Sequence, residues 1–359
     1  MSVSHNLEAA RELVRRDCAQ ALDPALSRLE VLRDSTIVVT GGTGFVGTWI
    51  AESIAALNDV HEFGISLIIT SRTHGFRSPE KAHLAARTDI TLETRDVRTE
   101  THLPAATRFV IHLAGNPDSR HHASYPLETM SVVGEGTAAA LRATTTTHNL
   151  RKFLNMSSAT AYGPQPLDVE AILETSPDRP LVDSVSRCYA EAKRYGEALC
   201  IAARSQSRVP TVSVRPFAFI GPYHDLGTPW AINSFVGDAL HRRPSRVLGD
   251  GQTVRSYLYG ADVASWVLQA LTDSGSAGPI NIGSPHAVSL LELAQLVSSS
   301  VSPALEIDLG MALSDTAPVS RLVPDVARAT GMGAAVTIGL EAAVSRTLEW
   351  NRLITAEKG

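Results

Sequence analysis

Cysteine, aromatic residues and long apolar runs are scarce in this 359-residue chain. The three cysteines, Cys18, Cys188 and Cys200, are too few and too scattered for a disulfide framework or a cysteine-rich zinc site. No apolar run approaches the roughly 18 residues of a membrane span, and the N-terminus lacks the basic start and apolar stretch of a signal peptide. We therefore expect a cytoplasmic protein that does not enter a membrane.

An excess of charge of one sign is also lacking, since 37 acidic and 32 basic residues give a formal net charge of −5. This balance shows no basic footprint for nucleic acid, and no His or Cys spacing indicates a metal site. The chain is 44% hydrophobic and 19% charged, which is typical of a globular protein with a sizeable core. Its length corresponds to about two domains of roughly 150 residues each, or to one domain with a large appendage.

From Ser35 onward, apolar runs of strand length alternate with helix-like stretches. The runs are TIVVT (36–40), SLIIT (66–70), FVIHLA (109–114), KFLNMS (152–157) and TVSVRP (211–216). Such alternation predicts an α/β fold, in which a doubly wound parallel sheet carries helices on both faces.

The pattern predicts three parts. Residues 1–34 form an N-terminal helical arm, interrupted near Pro24. Residues 35–215, with contributions from about 256–285, form a Rossmann-type dinucleotide-binding domain. Residues 216–255 and 286–359 form a smaller α/β cap that binds the substrate. Because ligands of open α/β sheets bind at the carboxyl ends of the strands, a cap placed there would close over the substrate.

A glycine-rich turn, GGTGFVG (41–47), directly follows the first run and precedes the helical stretch TWIAESIAAL. Its glycines allow a tight turn and a close approach of the backbone to a pyrophosphate, while the helix N-terminus offers free N–H groups to phosphate. The turn predicts a nicotinamide dinucleotide site, and a tight turn without a ligand is the alternative. The expected cofactor contacts are Gly41, Thr43, Gly44, Phe45, Val46 and Gly47.

The end of the second run bears on the choice between NAD and NADP. An NAD site usually has Asp or Glu there for the ribose 2′-hydroxyl, whereas this chain has Ser71 and Arg72. A hydroxyl followed by a guanidinium suits a 2′-phosphate, so the sequence favours NADP, with a solvated loop arginine as the alternative. Asp96 and Val97 are expected at the adenine end of the cofactor, unless Asp96 is a surface acid.

Tyr189 and Lys193 stand four residues apart in the helix-forming stretch YAEAKRYGEALCIAARS, so they share one helix face. A nearby ammonium favours phenolate and is expected to lower the pKa of the tyrosine from about 10 toward the working pH. The pair predicts an acid/base, with Lys193 also bound to the nicotinamide ribose. With 7 tyrosines and only four lysines in the chain, the spacing is not expected by chance. An exposed helix face is the alternative.

Two serines follow the strand-like run KFLNM. Ser158 is placed to hydrogen-bond the substrate oxygen that Tyr189 contacts and so to orient it for hydride transfer. Ser157 is the second choice as a substrate contact, and simple capping of the strand end is the alternative.

The segment HLAGN (112–116) ends another strand-like run and would line the cofactor through Leu113, Ala114 and Gly115 and the substrate through Asn116. We interpret His112 as a packed histidine, and the pair His121–His122 as a surface pair rather than as metal ligands.

Taken together, these motifs resemble the extended short-chain dehydrogenase/reductase family of nucleotide-sugar epimerases and dehydratases. The matching pieces follow one another in family order over roughly residues 35–300. They are TGGTGFVG (40–47), DVR (96–98), HLAG (112–115), SSATAYG (157–163), YAEAK (189–193), RPFAFIGPYH (215–224), GDGQTVRSYLYGAD (249–262) and NIGS (281–284).

The resemblance implies roles for single residues. Tyr189 looks like the catalytic acid/base, Lys193 like its pKa partner and ribose ligand, and Ser158 like the hydroxyl beside it. Arg255 is similar to the arginine that holds the nucleotide diphosphate in relatives, with a surface arginine as the alternative. Asn233, in the predicted cap, is a further candidate substrate contact. The resemblance also implies a homodimer with a helical bundle at its interface.

The chain departs from the family pattern at several positions. Dehydratases of the family usually carry an Asp–Glu pair directly after the catalytic hydroxyl, where this chain has Ala159 and Thr160. Elimination then lacks a proton carrier, which disfavours a dehydratase. Val133 and Ala218 stand where relatives often have asparagine, so the proton relay and some substrate contacts do not carry over.

The resulting hypothesis is an NAD(P)-dependent enzyme that oxidises or reduces a secondary alcohol of a nucleotide-linked sugar, as an epimerase or a ketoreductase. A 4,6-dehydratase or a decarboxylase of the same family is the alternative within this class. A non-catalytic nicotinamide-binding sensor or scaffold is the alternative of another class.

Overall fold

The computed structural model describes residues 3–72, 75–76, 78–99, 102–145, 147–177, 184–275, 278–311 and 320–355. Its strands are β1 Thr36–Thr40, β2 Ser66–Ser71, β3 Ile90–Thr94, β4 Thr107–His112, β5 Lys152–Met156, β6 Thr211–Pro216, β7 Ala218–Ile220, β8 Ser245–Val247, β9 Val254–Tyr259, β10 Ile280–Ile282, β11 Ala287–Ser289, β12 Ile307–Leu309 and β13 Arg321–Leu322.

The α-helices are α1 Val3–Leu22, α2 Leu26–Leu29, α3 Phe45–His61, α4 Ala82–Ala85, α5 Ser119–Ser124, α6 Pro126–Met130, α7 Gly136–Thr144, α8 Cys188–Ser207, α9 Ala231–Leu240, α10 Gly260–Thr272, α11 Leu290–Ser299, α12 Ala327–Gly331 and α13 Leu340–Thr355. A π-helical turn, Ser131–Glu135, joins α6 to α7. Within the described ranges, none of these helices combines the length and apolar character that crossing a membrane requires.

Seven parallel strands form the main sheet, in the order β10-β6-β5-β4-β1-β2-β3. The predicted doubly wound sheet is confirmed. Strand order reverses at β1, because the chain first adds β2 and β3 on one side and then β4 on the other. The crevice beyond the carboxyl ends of β1 and β4 is therefore the expected ligand position.

Both faces of the sheet are covered, as an all-parallel sheet requires. In β1, Ile37 and Val39 belong to one buried cluster, and Val38 belongs to another. The first cluster includes side chains of α1, α3 and α10, and the second includes side chains of α7 and α8. Alternate residues of one strand thus bury opposite faces.

The N-terminal arm packs on the body of the protein, where α1 lies against α3, α10 and α13. Asp17 on α1 is fully buried and pairs with Arg346 on α13 at 2.7 Å, and it accepts a hydrogen bond from Tyr259 at 2.6 Å. The helix interruption lies at Asp23–Ala25, with Pro24 in its first turn.

The remaining strands form two small sheets, one of β7, β9, β11 and β13 and one of β8 and β12. They supply much of the predicted cap, of which residues 312–319 and 356–359 lie outside the described residues. The division into arm, dinucleotide-binding domain and cap stays a prediction.

Candidate active site

The glycine-rich turn joins β1 to α3 and leaves little room for side chains. Gly41 has φ +69°, and a Cβ there would lie 2.7 Å from the Ala114 Cα at the end of β4. A Cβ on Gly47 would lie 2.2 Å from the Gly42 carbonyl oxygen. Gly44, by contrast, faces open space and caps α3 without a side-chain hydrogen bond. Since no side chain of the described residues caps the first N–H groups of α3, these groups can bind an anion.

Thr43, Phe45 and Val46 complete the turn. The Phe45 ring, at the start of α3, packs at 3.9 Å between centroids against the ring of His224, which follows β7. The side chain of Lys81 reaches the turn from the segment after β2, with its Nζ 3.5 Å from the Thr43 carbonyl oxygen.

At the end of β2, the side chains predicted to select the cofactor have protein partners. Arg72, which follows Ser71, pairs with Glu128 on α6 at 2.7 Å, and both side chains are partly exposed. Asp96 pairs with Arg98, whose hydrogen bond holds the pKa of the carboxyl at about 2. Val97 is buried and packs against Gly136 at the start of α7.

His112, the last residue of β4, is a packed histidine as predicted, 2% exposed. Its Nδ1 lies 2.8 Å from Thr40 Oγ1 and its Nε2 3.0 Å from Thr137 Oγ1. Because Thr137 already donates its hydroxyl proton to the Val133 carbonyl, it accepts from Nε2–H, and Nδ1 accepts from Thr40. Burial lowers the pKa of His112 to about 3, so the ring is neutral.

Tyr189, Lys193 and Ser158 meet where β5 ends beside α8. The Lys193 Nζ lies 5.6 Å from the centroid of the Tyr189 ring and donates to the Met156 carbonyl oxygen at 2.6 Å. Ser158 hydrogen-bonds with Tyr189 and accepts from the Thr160 hydroxyl at 2.8 Å. Ser158 thus meets Tyr189 and Lys193, which follow it by 31 and 35 positions in the chain, at the end of one strand.

The segment after β4 that is predicted to line the cofactor reaches the same place. A Cβ on Gly115, which has φ +150°, would lie 3.6 Å from the Lys193 Nζ and 3.3 Å from the Val133 side chain. Leu113 extends the β1–β4 pairing by donating its N–H to the Thr40 carbonyl oxygen, and Ala114 packs against the glycine turn.

The predicted fall in the pKa of Tyr189 is wrong for this structure. Burial raises the pKa of the phenol to about 12, and the hydrogen bond from Ser158 offsets part of that rise. The Lys193 ammonium is directed at the Met156 carbonyl rather than at the phenol, and burial lowers its own pKa to about 8. Desolvation therefore exceeds the attraction between the ammonium and a phenolate.

The other predicted substrate contacts differ in how many of their polar side-chain atoms already form hydrogen bonds within the protein. Ser157 is 1% exposed, and its hydroxyl has no partner among the described residues. Asn116 uses its side-chain oxygen to accept from the Asp118 N–H. Asn233 on α9 is buried and donates through its amide to Asp225 and Thr228, so its amide nitrogen holds a loop.

Arg255 lies on β9 in the small sheet and donates to the Val254 carbonyl and to Ser320. No carboxylate pairs with it within the described ranges, and burial lowers the pKa of its guanidinium. A partly buried cation without a counter-charge favours the binding of an anion.

Two further residues join the site that the sequence did not indicate. His122, interpreted as half of a surface pair, is 6% exposed and stacks on the Tyr189 ring. That interpretation is wrong, because the short helix α5 turns His122 inward and leaves His121 outside. Glu197, one helical turn after Lys193, forms a two-point ion pair with Arg215 at 2.9 and 2.7 Å. Only its spacing from Lys193 could have marked it.

Residues 37–283 match the NAD dependent epimerase/dehydratase family. The chain belongs to this family. Among curated members, it is 28% identical to UDP-glucuronic acid decarboxylase 1 of Arabidopsis thaliana over 82% of this chain and 64% of the relative. It is 25% identical to UDP-glucuronic acid decarboxylase 1 of Xenopus tropicalis over 88% of this chain and 72% of the relative. The chain spans 58 to 64% of the length of the three Arabidopsis decarboxylases 1, 2 and 4.

Solved structures of family members share the fold. A UDP-glucose 4-epimerase of Thermotoga maritima with UDP-glucose aligns with a TM-score of 0.73 and 22% identity, over 88% of this chain and 98% of that one. A UDP-glucuronic acid 4-epimerase of Bacillus cereus, in complex with a UDP-sugar and NAD, aligns with a TM-score of 0.73 and 20% identity, over 88% and 99% of the two chains. The predicted family and fold are thus confirmed.

Proposed function

We propose that this protein is an NAD(P)-dependent enzyme acting on a secondary alcohol of a nucleotide-linked sugar, in the manner of a sugar 4-epimerase. The observation that carries the proposal is the meeting of Ser158, Tyr189 and Lys193 beside Gly115 at the carboxyl end of the sheet. A phenol, a hydroxyl and an ammonium at this position can manage the proton of a substrate alcohol.

Each of these groups has a distinct role in the proposal. Tyr189 accepts the hydroxyl proton of the substrate during oxidation and returns it during reduction. Ser158 holds the same oxygen and so fixes its distance from the phenol. Lys193 binds the ribose next to the nicotinamide, and its charge stabilises the ionised tyrosine once a ligand completes the site.

The residues around the glycine turn suit a dinucleotide. Gly44 leaves open space at the N-terminus of α3, and its first N–H groups have no side-chain cap, as a pyrophosphate requires. Thr43, Phe45 and Val46 would contact the phosphates, while Leu113, Ala114 and Gly115 would line the nicotinamide side. When bound, the nicotinamide accepts and returns the two electrons of the alcohol.

We propose NADP rather than NAD as the preferred cofactor. No carboxylate stands at Ser71–Arg72, where a ribose 2′-hydroxyl would need one. The Arg72–Glu128 pair is exposed on both sides, and such a pair contributes only about 0–1 kcal/mol, so a 2′-phosphate can replace Glu128. Asp96 and Val97 would contact the adenine end.

For the substrate, we propose a UDP-sugar, following the printed names of the relatives. Arg255 would hold the diphosphate, since its guanidinium is partly buried and pairs with no carboxylate of the described residues. Asn116 and the Ser157 hydroxyl, which has no partner among the described residues, would contact the sugar, and Asn233 would contribute its side-chain carbonyl oxygen, since its amide nitrogen is engaged by Asp225 and Thr228. The predicted cap, residues 216–255 and 286–359, would bring Arg255 and Asn233 over the crevice.

A decarboxylase is the second candidate, because the curated relatives above carry that activity in their names. Oxidation of a hydroxyl β to a carboxyl group creates a β-keto acid, which loses carbon dioxide readily. Such a reaction needs the same Ser158, Tyr189 and Lys193. A dehydratase is disfavoured, because Ala159 and Thr160 carry no carboxyl group. Ala159 is buried, and the Thr160 hydroxyl donates to Ser158.

We further propose a homodimer formed through α6 and α8, which pack side by side. Leu127 and Met130 on α6 and Tyr195 and Ile201 on α8 are large apolar side chains with 82%, 39%, 55% and 59% exposure. A second copy would bury them. A cytoplasmic location is part of the same proposal and rests on three cysteines that are all free.

One experiment separates these activities. The purified protein is incubated with UDP-glucose, UDP-N-acetylglucosamine or UDP-glucuronic acid together with NAD or NADP, and the products are separated by chromatography. An epimer without net cofactor reduction supports the epimerase, and release of carbon dioxide from UDP-glucuronic acid supports the decarboxylase. Accumulation of reduced cofactor together with a keto-sugar identifies a ketoreductase working in its oxidative direction. Cofactor binding without turnover of any sugar would favour the non-catalytic alternative.

A further inference from the structure

The imidazole ring of His122 lies flat on the phenol ring of Tyr189. The two ring centroids are 4.0 Å apart, and the planes differ by 11°. His122 is 6% exposed, although it belongs to α5, a helix of six residues that also carries the more exposed His121. One face of the tyrosine is therefore covered by an aromatic ring from a different element.

The His122 ring is itself fixed by the segment that ends β4. Its Nε2 donates to the Asn116 carbonyl oxygen at 2.6 Å. Asn116 in turn accepts from the Asp118 N–H at 2.9 Å, and Asp118 caps α5 by accepting from the Arg120 N–H at 2.8 Å. The imidazole plane is thus held by the loop that follows Gly115, and the Gly115 backbone lies close to the Lys193 ammonium in space.

The charge state of the ring suits a stacking role. Burial lowers the pKa of His122, and the hydrogen bond to Asn116 only partly opposes this. The nearby Lys193 ammonium acts in the same direction as burial. A neutral imidazole can lie against a phenol without adding a second cation beside Lys193.

We propose that His122 is a positioning residue for Tyr189, which sets the plane of the phenol through aromatic stacking and thereby the direction of its hydroxyl toward Ser158 and the substrate oxygen. The proposal rests on the function proposed above for Tyr189. Stacked aromatic pairs contribute about 0.5–1.5 kcal/mol beyond their buried area. Without the imidazole, the ring gains room to rotate and water gains access to one of its faces.

Flat aromatic contact is what the proposal requires, so the variants at position 122 separate ring shape from volume. His122→Phe keeps a flat ring, His122→Leu keeps much of the volume without one, and His122→Ala removes both. His121→Ala is the matched control, because the His121 ring packs against the exposed Tyr125 ring, 5.1 Å away between centroids, rather than on Tyr189. Tyr189→Phe is measured in parallel.

We expect kcat of the Ala and Leu variants to fall at least about 10-fold, since misplacement of a reacting group by about 1 Å costs up to about 100-fold. The Phe variant should recover most of kcat, the His121 variant should match the unaltered protein, and the cofactor Kd should change less than about 3-fold throughout. Thermal unfolding checks that each variant is folded. If His122→Ala does not fold, the comparison of kcat between His122→Phe and His122→Leu tests the proposal.

Equal kcat for the Leu and Phe variants, or full kcat for the Ala variant, would overturn the proposal for His122. If Tyr189→Phe is inactive in that case, the proposed function stands and only the positioning role fails. If Tyr189→Phe keeps its activity, both fail together.

Discussion

Glu197 illustrates how a residue outside the reacting groups sets their charge. It lies one helical turn after Lys193 on α8 and is neutralised on its other side by Arg215. Burial lowers the pKa of Lys193 to about 8, and the Glu197 carboxylate opposes that fall. Lys193 therefore keeps its proton at neutral pH partly because of Glu197.

Replacing Glu197 by Gln should shift the alkaline limb of the kcat/KM profile to lower pH. Without the carboxylate, the pKa of Lys193 falls below about 8. The ammonium is then lost earlier as the pH rises, and activity is lost with it. The measurement is kcat/KM across the pH range for both proteins.

Asp17→Asn provides the control for that change, since it likewise replaces a carboxylate by its amide in a buried ion pair, here the pair of Asp17 with Arg346. We expect it to alter the stability of the protein without moving the pH profile. A Glu197→Gln profile that superposes on that of the unaltered protein would show that the carboxylate does not tune Lys193.

At the scale of elements, the turn between β1 and α3 contains two glycines with opposite requirements. A methyl group on Gly47 meets the Gly42 carbonyl oxygen at 2.2 Å, whereas one on Gly44 meets nothing closer than 4.0 Å. Gly47 is thus required by the packing of the turn itself, and Gly44 leaves space where a pyrophosphate would lie.

Gly47→Ala should therefore lower the melting temperature and abolish cofactor binding. Gly44→Ala should keep the melting temperature near its original value and weaken the binding of NADP and NAD by at least about 10-fold. Thermal shift with and without each cofactor measures both effects. Undiminished cofactor binding in Gly44→Ala would place the pyrophosphate elsewhere.

The elements themselves could be predicted well where the sequence has a strong local pattern. The predicted runs at 36–40 and 211–216 coincide with β1 and β6, because both faces of these strands are buried and their residues are apolar or small, except Arg215, which pairs with Glu197. The predicted run at 109–114 lies two residues too far along the chain, since β4 spans Thr107–His112, Leu113 adds one more hydrogen bond to β1, and the chain bends at Gly115.

The site could be predicted only in part. The spacing of Tyr189 and Lys193 is visible in one helix, so their common face needs no tertiary information. The stacking of His122 depends on the direction in which α5 leaves the β4 end, which no local periodicity encodes. The pKa of Tyr189 was predicted in the wrong direction, because burial and the aim of the Lys193 ammonium are properties of the folded chain.

At the scale of the whole molecule, the N-terminal arm is part of the main hydrophobic core. Leu13, Val14 and Cys18 on α1 are buried in the same cluster as α3 and α10 side chains. The buried Asp17–Arg346 pair joins the first helix to the last. The arm therefore contributes to the stability of the seven-stranded sheet.

Leu13→Ala should lower the free energy of unfolding by about 2–5 kcal/mol, the usual range for a buried leucine. Glu12→Ala, which removes an exposed side chain on the same helix, should change it by no more than about 0.5 kcal/mol. Denaturant unfolding monitored by tryptophan fluorescence measures both. Equal stability of the two variants would mean that the arm packs independently of the core.

The reaction proposed here depends most directly on the phenol of Tyr189. In Tyr189→Phe, with a UDP-sugar that the unaltered protein converts, turnover should fall at least about 100-fold because the proton carrier is gone. The cofactor Kd should remain within about 3-fold, since the ring and Lys193 stay in place. Turnover at the original rate with the cofactor still bound would contradict the account.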